Sequence, residues 1–351
     1  MNRTGALVAL TAAFLFGVST PFAKVLLEGV DAILLAGLLY FGAGLGLGAI
    51  LIVRRVWRRS GPSSEAPLIR KDLKWLAGAV IFGGVLGPLL LMVGLQKTSA
   101  ANASLLLNSE AVLTAVLAWT VFREHFEKRI VWGMLAIVTG AAILSWTGRP
   151  EGSAGMGELL IALACLAWAV DNNVTRMISG GDPQIIACVK GLIAGAVNIA
   201  IGLSHGALLP SASTLGMAAL VGGVGYGISL QLYVVGLRHI GTARTGAYFS
   251  VAPFAGAAVA LLLFRTPLTV SFISAAALMA LGVWLHLTER HVHEHVHENV
   301  VHEHKHLHDE HHQHSHGSDV SPDEPHSHLH THETLRHRHT HFPDLHHRHP
   351  H

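Results

Sequence analysis

Three ionisable side chains stand where an apolar stretch has no ordinary use for them. Glu110, Asp171 and Lys190 each lie inside an apolar run of about 20 residues, the length a helix needs to cross a bilayer. An ionisable group in hydrocarbon costs at least ~2.5–3.5 kcal/mol on insertion scales, so it normally faces a cavity or a partner. Glu110 is at the centre of its run, too deep to reach an interface, and has no obvious local partner. A carboxyl so placed is a candidate for carrying a proton or holding a substrate amine. Asp171 and Lys190 are spaced evenly about the turn Gly180-Gly181-Asp182-Pro183, so an antiparallel hairpin brings them to equal depth. An ion pair between them is geometrically natural, either as a gate or ligand pair or as a clamp between two helices. Asn108 (two residues from Glu110, hence on another face), Asn172, Arg176, Arg244 and Tyr248 complete the candidate set. Gln96, Asn102 and Gln231 are weaker polar candidates.

A different chemistry occupies the last 61 residues, which hold 23 of the 27 histidines. His291, His293, His295 and His297 alternate with other residues, and His302, His304, His306 and His308 repeat the pattern. His311, His312, His314 and His316 follow. Imidazoles two apart face one side of an extended chain, and those four apart one side of a helix. With interspersed Glu and Asp they suit Zn, Ni, Co or Cu. The tail has too few apolar residues to bury a core, so it is expected to be disordered without a ligand. A pH-sensitive tether is the other reading of so many imidazoles.

The elements that must position these residues follow from composition. Over 351 residues, 51% are apolar, 13% are charged and the mean hydropathy is +0.45. A soluble domain would carry about a quarter charged residues, so an ordinary cytosolic enzyme and a nucleic-acid binder are excluded. The net charge of +2 divides into +8 up to Arg290 and −6 beyond it. Cys165 and Cys188, both in apolar stretches, make no disulfide framework and no metal motif. Ten apolar runs can be marked out, near 4–26, 31–53, 74–95, 99–122, 130–147, 157–178, 184–204, 214–237, 243–264 and 268–287. An even number puts both termini on one side. Fifteen loop-proximal Lys and Arg fall on that side and four (Lys24, Lys97, Arg149, Arg265) on the other, so both termini are expected to be cytoplasmic.

The chain also repeats. Val93-Gly94-Leu95 matches Val235-Gly236-Leu237, and Gly140 matches Gly282, at an offset of 142. Ala12, Phe16 and Lys24 match Ala164, Trp168 and Arg176 at an offset of 152. Five runs per half is odd, so the second copy must enter the membrane inverted, a common construction among alternating-access transporters. Two glycine patterns mislead. Gly42-Ala-Gly44-Leu-Gly46-Leu-Gly48 has no preceding strand and reads as helix packing rather than a dinucleotide loop. Val224-Gly225-Tyr226-Gly227 lies inside a full-length run, not the re-entrant loop a potassium filter needs.

This layout, with Phe14-Leu15-Phe16-Gly17 in the first run, Phe122-Arg123-Glu124 closing the fourth and Pro253 in the ninth, resembles the drug/metabolite transporter superfamily, EamA type. The resemblance covers about residues 1–290. Two departures are Arg265-Thr266-Pro267, where that family often has a glutamate, and Ala111, where it often has proline. It implies transport of small organic metabolites. The expectation is an all-α integral membrane protein of ten transmembrane helices as two inverted five-helix repeats, 1–147 and 155–290, plus a disordered His-rich tail, 291–351. No enzyme, no required cofactor and no nucleic acid are expected; the partners are a small-molecule substrate, the lipid bilayer of the plasma (inner) membrane and metal ions at the tail, with a homodimer left open. A divalent-metal transporter and a non-transporting membrane metal sensor are the alternatives.

Overall fold

The computed structural model describes residues 3–57, 68–120, 128–145, 155–179, 181–265, 267–288, 292–296, 300–306, 326–332 and 336–340. Up to residue 288 the described chain is helical. In chain order the helices are α1 Arg3–Leu26, α2 Ala32–Trp57, α3 Leu73–Gly78, α4 Gly87–Lys97, α5 Ala100–Leu106, α6 Ser109–Thr120, α7 Lys128–Ser145, α8 Met156–Arg176, α9 Pro183–Ser204, α10 Ala212–Val221, α11 Ser229–Phe249, α12 Ala252–Phe264 and α13 Val270–Leu287. Among the described residues, eight helical stretches are long and apolar enough to cross a membrane, and two shorter apolar helices cover Val131–Leu144 and Val270–Leu285. Large side chains turned outward are apolar, with Leu7, Ile52, Trp132, Leu220, Leu262 and Val270 all 64% or more exposed. A surface of that kind suits lipid rather than water. This is a multi-pass helical membrane protein.

Two helical stretches are irregular in the same way. A π-helical segment, Ala79–Leu86, joins α3 to α4, and another, Gly222–Ile228, joins α10 to α11. Single-turn π-bulges inside helices are frequent at functional sites, and these segments are longer than one turn. Two further breaks separate α5 from α6 at Leu107–Asn108 and α11 from α12 at Ser250–Val251. The second has an evident cause, since Pro253 lies at the start of α12 and has no N–H to continue the ladder. The first has no proline. There Leu105 O accepts from the backbone N–H of Asn108 at 3.0 Å and from its side-chain amide at 3.2 Å. At the second break Gly246 O accepts from both the backbone N–H and the hydroxyl of Ser250 at 2.9 Å. N-caps recur as well. Asp31 Oδ1 accepts from Ile33 N and Leu34 N at 2.9 and 3.0 Å, and Asp182 Oδ1 accepts from Gln184 N and Ile185 N at 2.8 and 3.4 Å.

Several sequence expectations shift in detail. The run expected to be continuous over 99–122 is two helices, α5 and α6. The interruption expected between 237 and 243 is absent, because α11 runs unbroken to Phe249 and the chain bends only where Pro253 forces it. The tail expected to lack regular structure carries four extended segments, β1 Val292–Val296, β2 Val300–His306, β3 His326–His332 and β4 Arg336–Thr340. β1 pairs antiparallel with β4, and β2 with β3. Such ladders satisfy backbone groups without a core, which the composition could not supply.

Glycines set how closely the central helices approach. Gly44 of α2 lies against Gly191 and Leu192 of α9, and Gly195 and Gly202 of α9 meet the backbone of Phe41 and Leu34. Small residues let helix backbones close up in this way within a bilayer. The same tight packing seats the polar residues below.

Candidate substrate site

A partly open cavity lies between helices of both halves of the chain. Its thirteen lining residues include six aromatics, Phe16, Tyr40, Trp168, Tyr226, Tyr233 and Phe249, in a chain that is only 7% aromatic. The rings form one connected chain. Phe16 meets Trp168 edge-on with centroids 5.8 Å apart, Tyr226 at 5.6 Å and Phe249 at 5.4 Å. Tyr40 packs on Tyr226 at 5.2 Å, and Tyr233 on Phe249 at 4.9 Å. These distances fall in the range where offset and edge-to-face ring pairs are favourable.

The polar side of the cavity comes from α6, α8 and α9. Lys190 Nζ and Asp171 Oδ2 are in direct contact, with side chains 1% and 6% exposed. Thr175 Oγ1, one turn along α8, donates to Asp171 Oδ1 at 2.9 Å, so both carboxylate oxygens are engaged. Gly83, in the first π-helical segment, makes room for the pair: a Cβ there would collide with the Asp171 carboxylate and lie 2.5 Å from Lys190 Nζ. Its carbonyl accepts from Tyr40 OH at 2.8 Å and Trp168 Nε1 at 3.0 Å, donors that hold two of the rings. Buried side-chain donors need such partners. In the second π-helical segment Gly225 faces Ser19 of α1 in the corresponding way.

Glu110 occupies the first turn of α6, just past the break, where the helix N-terminus favours a negative charge. Asn172 Nδ2 donates to Glu110 Oε1 at 2.7 Å and lies 3.4 Å from Thr114 Oγ1. Glu110 thus has a polar partner, though not a local one. Its partner comes from a helix 62 positions away, and sequence proximity could not reveal it.

The cavity thus brings together Glu110, Asp171, Asn172 and Lys190. It leaves out Asn108, which is buried and turned toward Met279 of α13. Arg176 is buried at the end of α8 and does not line the cavity, nor does Tyr248, although its neighbour Phe249 does. Arg244 is in α11 with its side chain outside the described residues. In the tail, His293 and His295 are on β1 and His302, His304 and His306 on β2, their side chains outside the described residues. His291, His297, His308, His311, His312, His314 and His316 lie outside the described residues altogether. Sequence reasoning missed the aromatic lining. One signal was present, because Phe16 and Trp168 are matched by the 152-residue offset and both reach the cavity.

Beyond the cavity a second polar cluster ties helix ends together. Lys24 Nζ of α1 donates to Leu95 O and, at 3.1 Å, to Thr98 O at the end of α4. Thr98 Oγ1 in turn donates to Glu158 Oε1 of α8 at 2.8 Å.

Comparison with known proteins gives consistent results. The model of the EamA-like transporter family matches residues 3–146 and again residues 155–288. An uncharacterized transporter of Methanothermobacter thermautotrophicus is 29% identical over 299 residues, covering 80% of this chain and 85% of its own. A probable 4-amino-4-deoxy-L-arabinose-phosphoundecaprenol flippase subunit, ArnE, of Pseudomonas paraeruginosa is 34% identical over 113 residues, which are 32% of this chain and 94% of that one. A crystal structure at 18% identity superposes with a TM-score of 0.61 over 80% of this chain and 95% of its own, a likeness of fold.

Proposed function

The chain belongs to the EamA-like transporter family, within the drug/metabolite transporter superfamily, and on that premise we propose that it is a gradient-driven secondary transporter of a small polar metabolite. The family is made of transporters rather than enzymes, acting on small molecules in a membrane. One observation carries the finer reading: the cavity lies at the junction of the two matched halves and is lined by Glu110, Asn172 and the Asp171–Lys190 pair. Charged side chains within spans mark substrate and ion paths.

In this reading residues 1–147 and 155–290 are repeats of five helices in inverted orientation, which rock about the cavity to expose it on alternate sides. Recurring π-helical segments, helix breaks and aspartate caps support it. The excess of Lys and Arg on one set of loops supports a plasma-membrane protein with both termini cytoplasmic. Glu110 is the proton or substrate-amine site, and Asp171 with Lys190 is a gate or ligand pair. The amino sugar in the ArnE relative's name agrees with a carboxylate that receives an amine. The histidines of the tail hold divalent Zn, Ni, Co or Cu separately from the transport path. Uptake of a substrate panel in proteoliposomes, with and without a proton gradient, tests the function. Accumulation of one organic solute only when the gradient is imposed is the expected result; a divalent metal as the sole solute carried would replace this reading.

A further inference from the structure

We infer that the cavity takes an organic ammonium ion with an apolar or aromatic body, its cationic head on Glu110 and its body against the rings around Phe16. This deepens the proposed function and rests on its assignment of the cavity as the substrate site.

The charges decide the sign of the ligand. The lining holds one basic residue, Lys190, which is 1% exposed and bonded to Asp171, whose other oxygen is taken by Thr175. An anionic ligand would have to displace that carboxylate. Glu110 differs: it has no cationic partner among the described residues, and its contact at Oε1 is a neutral amide. Its carboxylate lies at a helix N-terminus, which holds the charge in place but provides no counter-ion. A cation in the cavity would supply one.

The walls decide the rest of the ligand. An ammonium group near ring faces is attracted by their quadrupoles, most strongly where water is excluded. Trp168, Tyr226 and Tyr233 are each about 5% or less exposed, and Phe16 stands among Trp168, Tyr226 and Phe249 within 5.8 Å of each ring centre. The hydroxyl of Tyr40 and the indole N–H of Trp168 are both committed to Gly83 O, which turns the apolar parts of those rings to the cavity. A strongly hydrated sugar or polyol would leave its hydroxyls facing rings, at the cost of unsatisfied polar groups. A compact body with one cationic end meets both surfaces.

Calorimetry on the full-length chain in detergent, corrected against empty micelles, tests this with three probes of one shape. Phenethylammonium should bind at least about tenfold tighter than neutral 2-phenylethanol, and phenylacetate should bind more weakly than either. Glu110→Gln should erase the preference for the amine and leave a weak affinity common to amine and alcohol, whereas Glu110→Asp should keep the preference. Phe16→Leu, which retains the carboxylate, should weaken the amine several-fold more than the alcohol and keeps the test informative if Glu110→Gln does not fold. Tighter binding of phenylacetate, or an amine preference that survives Glu110→Gln, would overturn the proposal. Amine binding without movement across liposomes would sink the transporter reading and leave the ligand class standing. Gradient-driven uptake of an anion or a sugar without amine binding would do the reverse.

Discussion

Asn172 donates to Glu110 at 2.7 Å across a gap of 62 residues in sequence, joining a helix of the first half to one of the second beside the cavity. The neighbouring residue on α8, Asp171, is bonded to Lys190 of α9. Two consecutive side chains of one helix therefore serve two different carboxylate sites. One is paired with a cation; the other lines the cavity against a neutral amide.

Replacing Glu110 by Gln removes an acid from the cavity lining. Gradient-driven accumulation in proteoliposomes should fall to the level of protein-free liposomes, while residual gradient-independent binding through the rings remains. Uptake by the variant equal to wild type would reduce Glu110 to a structural polar residue.

Asp171→Asn leaves Lys190 charged and enclosed. Breaking a buried pair by removing one partner costs roughly 3–5 kcal/mol, so the yield of folded protein and its melting temperature in detergent should both drop. Reversal of both charges, Asp171→Lys with Lys190→Asp, should recover more of the melting temperature than either single change. Additive losses would show that the two residues act independently.

Gly83→Ala places a methyl group against the same pair. Overpacking a filled site costs typically about 1–3 kcal/mol, and here the displaced atoms belong to an ion pair. Gly216 of α10 has open space where a Cβ would go, so Gly216→Ala should be neutral or stabilising by up to about 1 kcal/mol through helix propensity. Melting curves of the two variants, measured side by side, check the contrast.

Truncation after Arg290 removes the His-rich tail and should abolish nearly all Zn or Ni binding while leaving organic uptake close to normal at saturating substrate. In the full chain the metal should be held above about pH 6.5 and released below it, because ligation requires neutral imidazole. Undiminished metal stoichiometry in the truncated protein would refute the tail assignment.

The helical runs and the equal depth of Asp171 and Lys190 were legible in the sequence because helix rise is constant and the turn at Gly181-Asp182-Pro183 is short. The break before α12 is foreshadowed by Pro253. The matching break before α6 is not, since Ala111 stands 142 residues earlier. The Glu110–Asn172 contact depends on which faces of α6 and α8 meet, and periodicity in a uniformly apolar span does not specify a face. The aromatic lining was hidden for a related reason. Phe16, Tyr226 and Tyr233 stand among apolar neighbours, and nothing local separates a ring that faces lipid from one that faces a cavity.

A side chain at Gly83 would collide with Asp171 and one at Gly225 with Ser19, two close approaches that the offsets of 142 and 152 make counterparts. The position matching Glu110 is Ala252. Each half thus contributes an ionic group, Glu110 from the first and Asp171 from the second, whose counterpart in the other half is a methyl or a hydroxyl. Matched positions differ in chemistry on the two sides of the cavity, so under the proposed reading a ligand with a distinct head and tail would have a single way round. In the proposed cycle the two halves would trade shapes, but they would not trade places at the ligand.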